Sequence, residues 1–231
     1  MKKLGLIGGL GPESTVEYYQ KIISKYQERV GTKEDLPEFL INSINMYKVF
    51  ELIDSNQING LTDYLTDAVK KLEQIGADYA AISANTPHIV FDQVQERVQI
   101  PMISIVEETY QAVQEKGLQR IGLLGTKFTM EHDFFKTPFS ENDKTIVVPT
   151  ASEQSYIHEK IVKELENGIV NEQTKADYID IINRMIDEKN VEGIILGCTE
   201  LPMILKDDDL DILLFNTTEI HISKIVETMF N

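Results

Sequence analysis

Near its start the chain reads Leu4-Gly5-Leu6-Ile7-Gly8-Gly9-Leu10-Gly11-Pro12, an apolar run that ends in a glycine-rich turn. A short apolar run bounded by glycine predicts a buried strand, and proline is favoured in the first turn of a helix. The predicted helix would bury one stripe of residues at helical spacing, namely Val16, Tyr19, Ile22, Ile23 and Tyr26. A strand, a tight turn and an amphipathic helix together indicate an α/β fold.

The same alternation continues along the chain and predicts parallel sheets covered by helices. Eight strands are predicted, over residues 4–8, 39–42, 77–83, 103–105, 121–125, 145–148, 193–196 and 212–215. Further helices are predicted over residues 61–75, 107–116, 156–167, 175–189 and 219–229.

A weak internal repeat organises these elements. Residues 4–8 resemble residues 121–125, and residues 82–87 resemble residues 196–202. We therefore expect two α/β halves, residues 1–98 with 210–231 and residues 99–209. Each half would present a loop at the carboxyl ends of its strands, and the two loops would face a shared cleft. Chance similarity among apolar strands is the alternative.

The composition excludes several classes of partner. The formal charge of −16 would repel nucleic-acid phosphates and anionic membranes, although solubility alone also explains it. A single cysteine cannot form an internal disulfide, and the four scattered histidines do not resemble a metal-ligand set. No apolar run approaches the roughly 20 residues that span a bilayer, and Pro12 and Glu13 interrupt the only signal-like stretch. We expect a cytoplasmic protein.

The glycine-rich turn does not fit a dinucleotide site. Ser14 stands at the third glycine position, Pro12 removes a backbone donor, and the second strand ends in Asn42-Ser43 rather than in an acid for a ribose. Backbone N–H groups around Gly11 could instead bind a substrate carboxylate. A purely structural strand-to-helix turn is the alternative.

Polar residues follow three other strands. Cys198, the only thiol, comes directly after the apolar run of residues 191–196, where α/β sheets usually bind ligands. This position favours a function, although free cysteines are often inert core residues. Asn85 and Thr86 could bind a small polar ligand or only satisfy their loop, and Thr126 could bind a ligand or only cap a helix.

Five segments together resemble the aspartate/glutamate racemase family, the cofactor-independent amino-acid racemases. They are residues 8–15, Asn85-Thr86-Pro87-His88, residues 123–130, Gly197-Cys198-Thr199-Glu200-Leu201 and residues 215–221. The resemblance implies two Rossmann-like halves related by a pseudo-twofold axis, often paired as homodimers, with substrate between the Asn-Thr and Cys-Thr loops. It also implies a two-base mechanism without a metal or pyridoxal cofactor.

The resemblance implies a role for each loop residue. Cys198 would remove and return the α-proton of an amino acid. The carbanionic intermediate needs donors at its carboxylate, and we assign them to Asn85, Thr86, Thr126 and Thr199.

Two positions depart from the family pattern. Many members carry a second cysteine directly before the Asn-Thr pair, and Ala84 stands there. This residue indicates a one-base relative, an engineered Cys-to-Ala variant, or an enzyme that uses water on that face; Ser83 should point away, because strand side chains alternate. Members that bind aspartate commonly place a lysine where either Lys163 or Glu166 aligns. Lysine would attract a second carboxylate, whereas glutamate would favour a neutral or cationic side chain.

Three functions stay open on the sequence. The first is a racemase that acts on the α-carbon of a small acidic amino acid. The second is a single-cysteine decarboxylase related to the arylmalonate decarboxylases. The third is a non-catalytic relative that binds an amino acid.

Overall fold

The computed structural model describes residues 1–231 and divides into two compact units. Unit 1 comprises residues 1–108 and 218–231, and unit 2 comprises residues 109–217. Each unit is built around its own parallel sheet. No helix combines the length and the apolar character needed to cross a bilayer.

Unit 1 contains a four-stranded parallel sheet. Its strands are β1 (Leu4–Gly8), β2 (Phe39–Ser43), β3 (Tyr79–Ile82) and β4 (Met102–Ile103), in the order β2-β1-β3-β4. The surrounding helices are α1 (Pro12–Val30), α2 (Met46–Asp54), α3 (Ile58–Gln74) and α4 (Phe91–Gln95), with α11 (Thr217–Met229) from the far end of the chain. Helix α5 (Ile105–Glu115) begins in unit 1 and continues into unit 2. All residues of β1 are buried, as its central position requires.

Unit 2 repeats this arrangement. Its strands are β5 (Arg120–Leu124), β6 (Thr145–Val147), β7 (Gly193–Leu196) and β8 (Leu213–Asn216), in the order β6-β5-β7-β8. Its helices are α6 (Lys127–Glu131), α7 (Thr137–Ser140), α8 (Ala151–Lys163), α9 (Glu172–Lys189) and α10 (Leu201–Ile204). Short 3₁₀ turns span residues 165–167 and 207–209 in unit 2 and residues 86–90 in unit 1. The prediction of two parallel-sheet α/β halves is confirmed.

The borders of the units differ from the predicted ones after residues 98 and 209. Strand β4 pairs with β3, which keeps residues 99–108 in unit 1. Strand β8 pairs with β7, which keeps residues 210–217 in unit 2. Strand pairing therefore decides where each unit ends.

The buried stripe of α1 also differs from the predicted one. Ser14, Tyr18, Ile22 and Tyr26 are buried, at intervals of four residues. The last three of them share an apolar core with β1 and α11. Val16 is 55% exposed, because it lies midway between two members of that stripe and so projects from the opposite side of the helix. Tyr19 is likewise 48% exposed.

Parallel pairing places the polar loops of each unit at one edge of its sheet. β1 and β3 are neighbours, so the glycine-rich turn and the loop after residue 82 lie together in unit 1. β5 and β7 are neighbours in unit 2, where they bring together the loops that follow Leu124 and Leu196. Both edges are carboxyl ends of strands, where α/β sheets bind ligands.

Candidate active site

The glycine-rich turn of unit 1 is shaped by a close backbone approach. Gly9 has a φ of +76°, and a Cβ atom added there would lie 2.3 Å from the carbonyl oxygen of Ile44. Its N–H donates to the Thr15 hydroxyl at 2.8 Å, while the Gly11 carbonyl accepts the Thr15 N–H at 3.0 Å. Glycine is therefore required at residue 9 for local geometry. A substrate contact at Gly11 stays a prediction.

Two buried serines tie this turn to the end of β3. The Ser14 hydroxyl donates to the Ser83 carbonyl at 2.9 Å, and the Ser83 hydroxyl donates to the Ile7 carbonyl at 3.0 Å. Ser83 is completely buried. Its hydroxyl is thus held inside the sheet and is not a substitute for a base at residue 84.

The loop after β3 presents the predicted polar residues of unit 1. Ala84 is half-buried, and its methyl group packs against an apolar cluster of the unit. Asn85 is buried, whereas Thr86 is half-buried and begins the 3₁₀ turn. Ala84 carries no side-chain group that can take or give a proton. The structure therefore brings Gly11, Ala84, Asn85 and Thr86 to one sheet edge.

A glycine pair allows the two loops of unit 2 to approach each other. The Gly197 N–H donates to the Leu124 carbonyl at 2.7 Å. A Cβ atom on Gly125 would lie 3.1 Å from the Gly197 carbonyl oxygen, which is tighter than ordinary packing. This approach places Thr126 and Cys198 at the same edge.

The Cys198 thiol has a carboxylate as its hydrogen-bond partner. Its Sγ donates to Glu200 Oε2 at 2.9 Å, and the half-buried side chain packs against the core cluster that contains Tyr178 and Leu201. Burial raises the pKa of the thiol well above its usual range, and the negative charge of Glu200 raises it further. The resting thiol is therefore protonated. Glu200 is the acceptor to which its proton can move.

Thr126 serves the local structure of unit 2. Its side chain caps α6 by accepting the Thr129 N–H at 3.4 Å, and its Oγ1 lies 3.2 Å from the Thr129 hydroxyl. The helix cap explains a threonine at this position without a ligand. Thr199, which follows the thiol, is half-buried. Substrate contacts of both hydroxyls stay predictions.

The sequence matches the Asp/Glu/Hydantoin racemase family over residues 7–225. The chain belongs to this family. A solved structure of an aspartate racemase homologue from Pyrococcus horikoshii OT3 is 37% identical, covers all of both chains and has a TM-score of 0.88. A protein from Yersinia pestis that is assigned to the Asp/Glu racemases is 28% identical over all of both chains, with a TM-score of 0.94.

A broad specificity amino-acid racemase, RacX of Bacillus subtilis, is 23% identical over 205 residues, or 87% of each chain. The family and these relatives support an isomerase, and the resemblance seen in the sequence motifs is confirmed.

The structure separates the two residues that align with the lysine of aspartate-binding family members. Lys163 Nζ lies 2.9 Å from Glu159 Oε1, one turn back on α8, and the lysine side chain is 71% exposed. Glu166 lies in the turn of residues 165–167, which packs against α10, and its negative charge contributes to the raised pKa of Cys198. The predicted contact of Lys163 with substrate stays a prediction. Glu166 is the residue of this pair that acts on the thiol.

Sequence reasoning gave no role to two residues that the structure brings to the loops. Glu200 is the hydrogen-bond partner of the thiol. Its position two residues after Cys198 was the only sequence feature that could have indicated this role. His88 binds the backbone of the Asn85 loop. The only sequence feature that could have indicated this role is its position at the end of the motif Asn85-Thr86-Pro87-His88.

Proposed function

We propose that this protein is a cofactor-independent amino-acid racemase that removes and returns the α-proton of its substrate. The observation that carries the proposal is the Cys198–Glu200 pair at the carboxyl end of β7, in a chain of the racemase family. A thiol that is protonated at rest and has an adjacent carboxylate can act as acid and, after it transfers its proton, as base.

The proposed reaction begins when Glu200 accepts the thiol proton. The Cys198 thiolate then takes the α-proton, and the electron pair left on the α-carbon delocalises into the substrate carboxylate. Return of a proton to that carbon ends the cycle. The intermediate needs fixed donors at the carboxylate oxygens, and we assign them to Asn85, Thr86, Thr126 and Thr199, with the backbone at Gly11.

Ala84 limits the proposed reaction on the other face of the substrate. Its methyl group transfers no proton, and Ser83 is held by the Ile7 carbonyl. We therefore propose that proton exchange on the face served by Cys198 is faster than full inversion. Water supplies the second proton in this scheme.

The charges near the thiol support a proposal about the substrate side chain. The negative charges of Glu200 and Glu166 both raise the pKa of Cys198, whereas Lys163 is paired with Glu159. Two like charges repel, so a second substrate carboxylate is disfavoured there. We propose that amino acids with neutral or cationic side chains are used better than aspartate or glutamate. The Bacillus subtilis relative, a broad specificity amino-acid racemase, supports this wider range.

The test is exchange of the α-proton into deuterated water, followed by proton NMR with the L and D forms of aspartate, glutamate, methionine and lysine. Wild-type protein should exchange at least one of them, and Cys198→Ser should lower the rate at least about 10²-fold. Ala84→Cys should raise the ratio of inversion to exchange. Substrates that all stay fully protonated with wild-type protein would refute the proposal.

A single-cysteine decarboxylase is the second candidate, and the combination of one thiol with Ala84 favours it. Loss of carbon dioxide generates the carbanion, so one proton donor completes that reaction. Release of carbon dioxide from a disubstituted malonate, without amino-acid exchange, would support this candidate. Amino-acid binding in calorimetry without either reaction would indicate a non-catalytic relative.

We also propose a homodimer in a reducing, cytoplasmic compartment, on the basis of the family resemblance and the single free thiol. Light scattering of the purified protein tests the dimer, and a mass of one chain, about 26.3 kDa, would refute it.

A further inference from the structure

His88 is a buried histidine whose two ring nitrogens both bind backbone groups. Nδ1 lies 2.9 Å from the Ala84 carbonyl oxygen, and Nε2 accepts the Ile105 N–H at 3.2 Å. A carbonyl only accepts and an N–H only donates. The proton of the neutral ring is therefore on Nδ1. The side chain is 5% exposed.

The surroundings of His88 keep its ring neutral and fixed. Phe91 stacks on the ring with 5.1 Å between centroids, and His221 meets it edge-on at 6.3 Å. His221 is itself held, since Tyr18 donates to its Nδ1 at 2.8 Å and its Nε2 donates to Ile103 at 3.0 Å. Burial, reinforced by His221, lowers the pKa of His88 to about 3.

His88 makes two contacts with the loop that bears the proposed substrate donors. Its ring donates to the carbonyl of Ala84, and its backbone N–H donates to the carbonyl of Asn85 at 3.0 Å. These bonds fix the directions of two consecutive carbonyls. The peptide plane between Ala84 and Asn85 is thereby fixed as well, and with it the position from which the Asn85 side chain leaves the backbone.

We propose that His88 is a positioning residue, which holds the Asn85–Thr86 backbone in the orientation needed for substrate through its Nδ1–H bond to Ala84. The inference rests on the proposed racemase function. His88 touches no reacting atom in this scheme. It acts only through the loop.

Three substitutions separate the hydrogen bond from the bulk of the ring. His88→Phe keeps the ring and removes the donor, His88→Asn keeps a donor near the position of Nδ1, and His88→Gln moves the donor outward to the position of Nε2. The matched control is His132→Phe, because His132 Nδ1 also lies 3.0 Å from the carbonyl four residues back, that of Phe128, but on an exposed helix end.

We expect His88→Phe and His88→Gln to lower kcat for α-proton exchange by about 10²-fold, since misplacement by about 1 Å costs that much. KM should stay within about threefold, and His88→Asn should recover kcat to within about fivefold of wild type, because a fixed donor is again present. His132→Phe should leave kcat unchanged. Equal kcat in wild type and a folded His88→Phe would overturn the inference, as would equal losses in His88→Asn and His88→Gln.

Two measurements do not depend on turnover. Nitrogen-15 NMR of the histidine side chains should show His88 protonated on Nδ1. Amide hydrogen exchange of residues 84–86 should speed up in His88→Gln but not in His88→Asn. An Nε2-protonated ring, or protection equal in the two variants, would overturn the inference. If wild-type protein exchanges no amino acid, the proposed function fails while these two measurements still decide the role of His88 in the loop.

Discussion

Acid should destabilise this protein through its two buried histidines. In the unfolded chain histidine has a pKa of about 6.5, whereas burial lowers the pKa of His88 to about 3 and that of His221 to about 4 in the folded protein. At a pH between the folded and the unfolded pKa values, the two histidines are protonated in the unfolded chain but stay neutral in the folded protein. Stability is therefore complete above pH 6.5 and falls as the pH decreases.

The size of the loss follows from the same values. At pH 5 each unfolded histidine gains about 2 kcal/mol from protonation, while the folded histidines gain almost nothing. The pair together should therefore lower the free energy of unfolding by about 4 kcal/mol relative to neutral pH. His88→Asn removes one of the two groups, so its loss should be smaller by about 2 kcal/mol.

The assay is urea denaturation followed by circular dichroism at pH 7.5 and pH 5.0 at constant ionic strength. Carboxylates titrate in both proteins and cancel in the comparison. Equal losses in the free energy of unfolding of wild type and His88→Asn, to within about 0.5 kcal/mol, would refute this prediction.

Three further predictions concern single side chains. Glu200→Gln should lower the pKa of Cys198, because the carboxylate that opposes the thiolate is gone; the pH dependence of alkylation by iodoacetamide measures this. Gly9→Ala should lower the free energy of unfolding by more than about 3 kcal/mol, because strain at positive φ adds to a backbone clash. Gly31→Ala has the same sign of φ but lies in open space, so it should lower that free energy by only about 1 kcal/mol. Thermal denaturation measures both. Lys163→Ala should leave exchange rates within about twofold of wild type, since its ion pair lies in solvent.

Each of these predictions has a clear contrary outcome. An alkylation profile that does not move would remove Glu200 from the surroundings of the thiol. Equal losses in the free energy of unfolding in Gly9→Ala and Gly31→Ala would show that the close backbone approach at Gly9 adds nothing to the cost of the substitution. A selective loss of activity on aspartate in Lys163→Ala would return that lysine to the substrate site.

The sheets were predictable because short apolar runs carry a strong signal. All eight strands lie within the predicted stretches or within one residue of them, and the run of residues 193–196 matches β7 itself. Helix α2 was missed, since its nine residues offer little more than two turns of periodicity. The buried face of α1 was misread because Ser14, a polar residue, belongs to it while Val16 does not. The hydrogen bond from Ser14 to the Ser83 carbonyl explains why a serine is buried on this face of α1.

The site was predictable where position along a strand decides it. Cys198 follows a buried strand, and parallel pairing brings it to the loop edge without further information. The direction of a long side chain is not set by such a pattern. Lys163 and Glu166 are three residues apart, and only the end of α8 and the packing of the next turn decide which of them acts on the thiol. Likewise, no local pattern joins His88 to Ile105, because that bond depends on tertiary packing.

The membership of α11 in unit 1 has a consequence for synthesis on the ribosome. Ile222, Ile225 and Met229 fill the same core as Leu4 and Tyr18, so this core stays open until α11 has emerged from the exit tunnel. Unit 2 is one uninterrupted segment and can close earlier. The strands of unit 1 are therefore made before unit 2, but the core that contains Leu4 and Tyr18 is completed after it, and these residues are open to chaperones in that interval.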